Sequence, residues 1–374
     1  MELSGFVSSK FRFWSFISMV LLVFVHGYNL DIRYMQPWTQ PGEPMTLTAF
    51  TEYFLANGIF RFRIPMLFII SGFLFALHDQ KSYKERTRKR LRTLLVPYLL
   101  WSTIGILFTF LLESFPAGRT LVAGSGIVQI DDTRKLLTDY HWYELLFRWI
   151  FMPIPYQLWF IRVLLIYNLA YPAIRWCVTH PIGKWIFFSV ALLMWLGTMG
   201  FVFFEGEGLL FFSLGVWMQK TGFNIELPGR RLNPAWWAII FVILAAGKTI
   251  LAFGVIPLPA NAIKPVLSLL HKMVVFSGLV ACWYGLDPLV RWCMARRWFT
   301  WLSAFAFIIY ALHAPLVAYL INLALAWLAS LPGSQMLAFV LLPLCVITLA
   351  IATGALLRKI SPKAYGLLTG GRGL

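Results

Sequence analysis

Charge is the scarcest commodity in this sequence. Only 13% of its 374 residues are Asp, Glu, Lys or Arg, and only 15 are acidic. A water-exposed globule of this length carries far more, so a soluble fold is excluded. Cysteine is nearly absent. The four present, Cys177, Cys282, Cys293 and Cys345, form no CxxC pair. That spacing gives neither a disulfide framework nor a zinc site, and packing is the reading for these thiols. No GxxxxGK[ST], HExxH or GxSxG occurs, and AGSG at 123–126 is too short for a phosphate loop. There is no internal repeat, no low-complexity tract and no second soluble domain. The apolar run from Phe13 follows Lys10 and Arg12 with no small-residue cleavage site behind it, so it reads as a first span.

Apolar surface is what the chain has in excess. It is 60% hydrophobic with a mean hydropathy of +0.74. Stretches of roughly 18 or more apolar residues recur, each long enough to cross a bilayer as a helix. The expected fold is all-α, an integral membrane bundle of about ten transmembrane helices in one domain over residues 1–374. Approximate spans are 13–30, 56–77, 94–112, 156–174, 185–204, 207–219, 235–253, 265–286, 298–325 and 336–357.

The net charge of +17 does not point to nucleic acid, because the bases sit in short links between spans. Placing the N-terminus, the links near 78–93, 175–184, 220–234 and 287–297, and the tail on one side collects 21 of the 32 Lys and Arg. The positive-inside rule makes that side cytoplasmic, with both termini inside. Outside lie the loops 31–55 and 113–155, the second holding Asp131, Asp132, Asp139 and Glu144. Its stretch LLTDYHWYELLFRWIF has the spacing of a helix lying in the interface.

Ionisable groups inside spans cost about 2.5–3.5 kcal/mol each on insertion scales, so they mark a cavity or a partner. In SMVLLVFVHGYNLD an apolar run ends in His26. One account is a histidine bonded between helices; the other is an imidazole able to accept a proton near neutral pH. Its spacing to Asp31 imitates a soluble acyltransferase signature, but residues five apart do not share a helix face. Asn29, at i+3, is better placed to orient the ring. Arg61 and Arg63 precede Pro65 at the expected outer mouth of the second span, either snorkelling to lipid phosphate or holding an anionic group. Ser71-Gly72 reads first as a close helix contact. Glu205 and Glu207 either form a turn or face inward towards Arg61 or Arg63. Arg162 is expected to find an acidic partner, and His313 sits mid-span before Pro315. Lys248, His271 and Lys272 receive no role, and neither does Lys264.

Four stretches together resemble the acyltransferase 3 family of polytopic membrane acyltransferases. They are FISMVLLVFVHGYN; RIPMLFIISGFLFAL followed by YKERTRKRLRTLLVPYLLW; YQLWFIRVLLIYNLAYP; and LSAFAFIIYALHAPLV. Order and spacing match over roughly 12–355. The resemblance implies ten membrane helices, acyl-CoA as a cytoplasmic co-substrate with no permanently bound cofactor, and acylation of a glycan or lipid-linked sugar outside. It maps the family's first-span histidine onto His26, its arginine onto Arg63 and less directly Arg61, and its YxLHxP element onto Tyr310, His313 and Pro315. One departure stands: the arginine that many members carry eleven residues before that histidine is Ser15 here, with Arg12 nearest.

On this basis His26 is the expected general base, an acyl-imidazole being the second choice. Arg63 or His313 would stabilise the oxyanion. Asn29, Arg61, Tyr310, Glu205 and Glu207 would meet the acceptor. Lys81, Arg86, Arg88, Lys89, Arg90 and Arg92 would receive the polyanionic donor, unless that link only sets topology. Acetyl is the expected acyl group, with succinyl the other choice. A multi-span transporter is the rival class, disfavoured by the lack of paired halves with matching broken segments. The oligomeric state is not assigned.

Overall fold

A computed structural model of the chain describes residues 3–30, 35–128 and 135–373. Helices make up nearly all of it, with one antiparallel hairpin pairing Gly200 with Glu205 and Phe201 with Phe204. Among the described residues seven segments are long and apolar enough to cross a bilayer: Gly5–His26, Leu47–Leu77, Tyr83–Glu113, Pro234–Ala252, Ala260–Gly285, Ala306–Leu328 and Ser334–Ile360. An eighth is added if Tyr156–Leu169 and Tyr171–Thr179 count as one span bent by 65°. Pro172 lies in the first turn of the second half and cannot continue the preceding helix, which explains the bend. The all-α membrane bundle is as expected. Two of the ten expected spans correspond to shorter helices, Gly183–Leu196 and Gly206–Thr221.

The second membrane segment differs from the expected 56–77 span. It begins at Leu47, and its backbone changes winding three times: α over Leu47–Tyr53, π over Phe54–Gly58, 3-10 over Ile59–Phe62, then α from Arg63 to Leu77. Arg61 and Arg63 therefore lie midway along it, not at its outer mouth. Arg63 Nη1 donates to the Phe60 carbonyl at 2.7 Å, and Arg61 Nη2 to that of Met35 at 2.9 Å.

The first helix runs among those at Arg63–Leu77, Ala306–Leu328 and Ser334–Ile360. Ser71-Gly72 does mark a close contact. A Cβ at Gly72 would overlap the Phe212 carbonyl, and one at Gly215 would overlap that of Ile69. Trp142–Ile150 is amphipathic as expected, exposing Trp142, Tyr143, Leu146 and Phe147 while buried Arg148 donates to the Ile127 carbonyl. The Glu113 carboxylate anchors this loop by accepting from the Leu137 and Thr138 N–H groups. Asp31, Asp131 and Asp132 lie outside the described residues.

The links that charge counting placed together do gather at one end of the bundle. Asp79 alone ties three of them, through Arg86 (3.2 Å), Arg175 (2.9 Å) and Lys220 (2.6 Å). Lys10 pairs with Asp287 at 2.5 Å, and Arg12 Nε donates to Ser303 Oγ at 2.8 Å. The tail joins the same end, with Tyr365 Oη donating to Ala304 O and Arg372 Nη1 to Thr93 O.

Candidate functional site

His26 is the last residue of the first helix. Gly27 follows, and its N–H closes onto the Val23 and Phe24 carbonyls. A Cβ at Gly27 would sit 2.7 Å from the Pro343 ring, so only glycine lets the chain turn away here against the last long helix. The imidazole looks into a cavity of about 480 Å³. His26, Arg61, Arg63, Glu205, Glu207 and Tyr310, six of the side chains singled out from sequence, share its wall. Residues 35–38 and residues 198–200, leading into the hairpin, also contribute to the wall.

The ring is held by a residue that sequence reasoning missed. Tyr156 Oη lies 2.8 Å from His26 Nδ1, and the two rings meet edge to face at 5.2 Å. Tyr156 opens a short 3-10 turn, Tyr156–Leu158, which is clamped to the His313 helix from both sides. Tyr310 Oη donates to the Gln157 carbonyl at 2.6 Å, and Gln157 Nε2 donates to the Ala311 carbonyl at 2.7 Å. The Tyr310 hydroxyl is thus committed to backbone, and only its ring faces the cavity. Tyr156 stood inside the quoted stretch YQLWFIRV, but a tyrosine at the end of a span is ordinary and carries no signal of its own.

Asn29 does not orient the ring. The helix has ended by then, so i+3 spacing no longer places it over His26, and its Nδ2 donates to the Gln335 carbonyl at 2.9 Å. His313 is not part of the cavity wall. It is fully buried behind His26, ring centroids 5.2 Å apart. Its Nδ1 faces two carbonyls, Tyr310 at 2.8 Å and Ile309 at 3.1 Å, so Nδ1 carries the hydrogen. In the neutral ring Nε2 then has a lone pair only and no N–H for an oxyanion.

Arg61 and Arg63 each keep a buried Nε without a hydrogen-bond partner among the described residues. Glu205 and Glu207 face the same cavity but make no ion pair with them. Glu207 accepts from Trp195 Nε1 at 3.1 Å, and buried Glu205 Oε2 has no partner among the described residues. His271 and Lys272, left without roles above, complete the wall, and buried Lys248 stands behind with Nζ 3.1 Å from His271 Nδ1 and 2.6 Å from the Asn57 carbonyl. Arg162 has no acidic partner among the described residues; its guanidinium donates to the Phe151 carbonyl.

The basic link is not uniform. Lys81, Arg88, Lys89 and Arg92 are exposed, and Lys81 lies 3.7 Å from Glu85. Arg86 is buried in its pair with Asp79 and stacks on Phe75 and Tyr171, so it is committed within the protein, and Arg90 lies over the Phe75 ring. Among the described residues no three His, Cys, Asp or Glu side chains come together as a metal site requires.

The family described as an acyltransferase domain matches residues 11–357 of the chain. The chain is also similar to the succinoglycan biosynthesis protein ExoH of Rhizobium meliloti (strain 1021). The two are 23% identical over 370 residues, covering 98% of this chain and 93% of that protein. No solved structure matches the chain.

Proposed function

The chain belongs to the acyltransferase 3 family, and from that premise we propose that it moves an acyl group, acetyl in the first instance, from acyl-CoA to a glycan hydroxyl. The donor enters at the end of the bundle where the termini lie, taken as the cytoplasmic face of a bacterial inner membrane. The acceptor, a polysaccharide or lipid-linked sugar, enters from the other side. The Rhizobium relative is a succinoglycan biosynthesis protein, which supports a glycan acceptor here.

The observation that carries this reading is the shared cavity of His26, Arg61, Arg63, Glu205 and Glu207. In the tautomer whose Nδ1–H is donated to Tyr156 Oη, His26 presents the Nε2 lone pair as a base. The acceptor hydroxyl attacks the thioester carbonyl and its proton passes to Nε2. A C–O bond forms, and the oxyanion is met by the guanidinium of Arg63. Collapse breaks the C–S bond, and the thiolate takes the proton back from His26. Arg61 and the two carboxylates supply donors and acceptors for a hydroxyl-rich acceptor. Trp38, Trp159 and Trp195 in the wall offer flat faces for sugar rings.

The test is His26→Ala, reconstituted beside wild type with labelled acetyl-CoA and envelope glycan, the product read by mass spectrometry. Transfer is lost while expression and insertion persist; full transfer by the alanine variant removes His26 from the mechanism.

A further inference from the structure

A second cavity, of about 710 Å³, opens at the end of the bundle that holds the termini. Four arginines line it: Arg12 from the first helix, Arg297, Arg358 from the last long helix and Arg372 from the tail. Among the described residues none of the four has a carboxylate within salt-bridge reach. Their anchors are neutral. Arg12 uses Ser303 Oγ and Thr300 O, Arg358 uses Gly373 O, and Arg372 uses Thr93 O and Thr369 O. Four positive charges line one space with the hydroxyl groups of Ser8 and Ser15 beside them. Such a set matches a ligand with several phosphate oxygens. The exposed link at residues 81–92 has basic side chains but contributes none to either this cavity or that of His26.

Position adds a second argument. The two cavities share the first helix, with Ser15 lining one and Leu22 the other, about 10 Å apart at 1.5 Å per residue. On the His313 helix they nearly touch. Phe307 lines the arginine cavity, Tyr310 lines the His26 cavity, and their ring centroids are 5.8 Å apart. Arg372 lies over the Phe307 ring at 4.9 Å. Phosphates held among the arginines would leave a flexible thioester arm one ring pair away from His26.

We propose that the cavity bounded by Arg12, Arg297, Arg358 and Arg372 is the phosphate-binding seat of the acyl-CoA donor, and that the 81–92 link is not. This rests on the donor assigned under Proposed function. It gives Arg12 a place as a phosphate ligand at the far end of the first helix from His26.

Binding is measured by calorimetry on the full chain in phosphatidylcholine nanodiscs, with CoA, dephospho-CoA and pantetheine as probes. Wild type binds CoA more tightly than pantetheine. Arg297→Gln/Arg358→Gln weakens CoA about tenfold or more and leaves pantetheine unchanged. Arg297→Lys/Arg358→Lys recovers part of the loss, which separates lost charge from misfolding. CoA bound equally by the glutamine double variant overturns the site. So does loss of CoA binding in Arg88→Gln/Lys89→Gln/Arg92→Gln with the cavity variant unaffected, although the donor assignment then survives. Displacement of CoA by equimolar phosphatidylglycerol reassigns the cavity to a lipid headgroup. No CoA binding by wild type overturns the donor assignment and this seat with it.

Discussion

Tyr156→Phe keeps the edge-to-face contact with His26 and removes only the hydroxyl at 2.8 Å from Nδ1. The ring then loses the partner that accepts its Nδ1–H, and the tautomer with the hydrogen on Nε2, which offers no lone pair there, is no longer disfavoured. One lost hydrogen bond of this kind is worth about 1 kcal/mol or somewhat more, so the transfer rate falls about tenfold with little change in the apparent affinity for CoA. Single-turnover kinetics with labelled donor reads the step; an unchanged rate makes the contact a packing feature only. His26, Arg61 and Arg63 were legible from sequence because ionisable groups in apolar runs are costly and therefore purposeful. Tyr156 and Gln157 were not, since both act through backbone or one neighbouring ring, and such duties leave no mark in residue type. Tyr310 illustrates the converse: its position was legible, but its hydroxyl serves the Gln157 carbonyl and not the cavity.

Between elements, backbone contact sets the limits. Gly72 lets the Arg63–Leu77 helix press onto Gly206–Thr221 with no side chain between them. Gly72→Ala places a methyl group where the Phe212 carbonyl already is, and a fixed carbonyl yields less readily than a side chain. The substitution is expected to cost about 1–3 kcal/mol, read as a lowered midpoint of thermal unfolding in detergent by tryptophan fluorescence. Gly247→Ala, where a Cβ has open space, serves as the control and leaves the midpoint unchanged or slightly raised. That small residues would pack here was readable from Ser71-Gly72. The changes in winding before Arg63 were not. Hydropathy measures apolar length, and π and 3-10 turns have the same composition as the α-helix they interrupt. The span was accordingly expected to begin at 56, and the two arginines were expected at its mouth.

At the scale of the molecule, one carboxylate organises the basic end. Burial alone would raise the Asp79 carboxyl, but the hydrogen bond and charge of Lys220, followed by Tyr171 and Arg175, hold it below its ordinary value. A depressed carboxyl contributes stability that is fully present above the unfolded pKa of about 3.9 and is lost as pH falls through the folded value. Wild-type protein should therefore lose thermal stability below about pH 4. Asp79→Asn should start lower at neutral pH and show a shallower acid dependence; parallel curves for the two proteins would show that the clamp does not couple to folding. The same clamp bears on orientation. Because Asp79 joins residues 86, 175 and 220, Lys10 joins Asp287, Ser4 joins Glu226, and Arg372 joins Thr93, those links and both termini lie together at one end of the bundle. Grouping the links was possible from charge alone, since 21 of the 32 basic residues fall there. Single cysteines introduced at Lys89 and Lys363 in a chain stripped of its four native cysteines should react with a membrane-impermeant maleimide only after the cells are opened. A cysteine at Trp142, on the exposed face of the Trp142–Ile150 helix, should react in intact cells if the loop lies outside as expected from charge. Labelling of 89 and 363 from outside would invert the bundle, put the arginine cavity on the wrong face for a cytosolic donor, and leave His26 facing the cytoplasm.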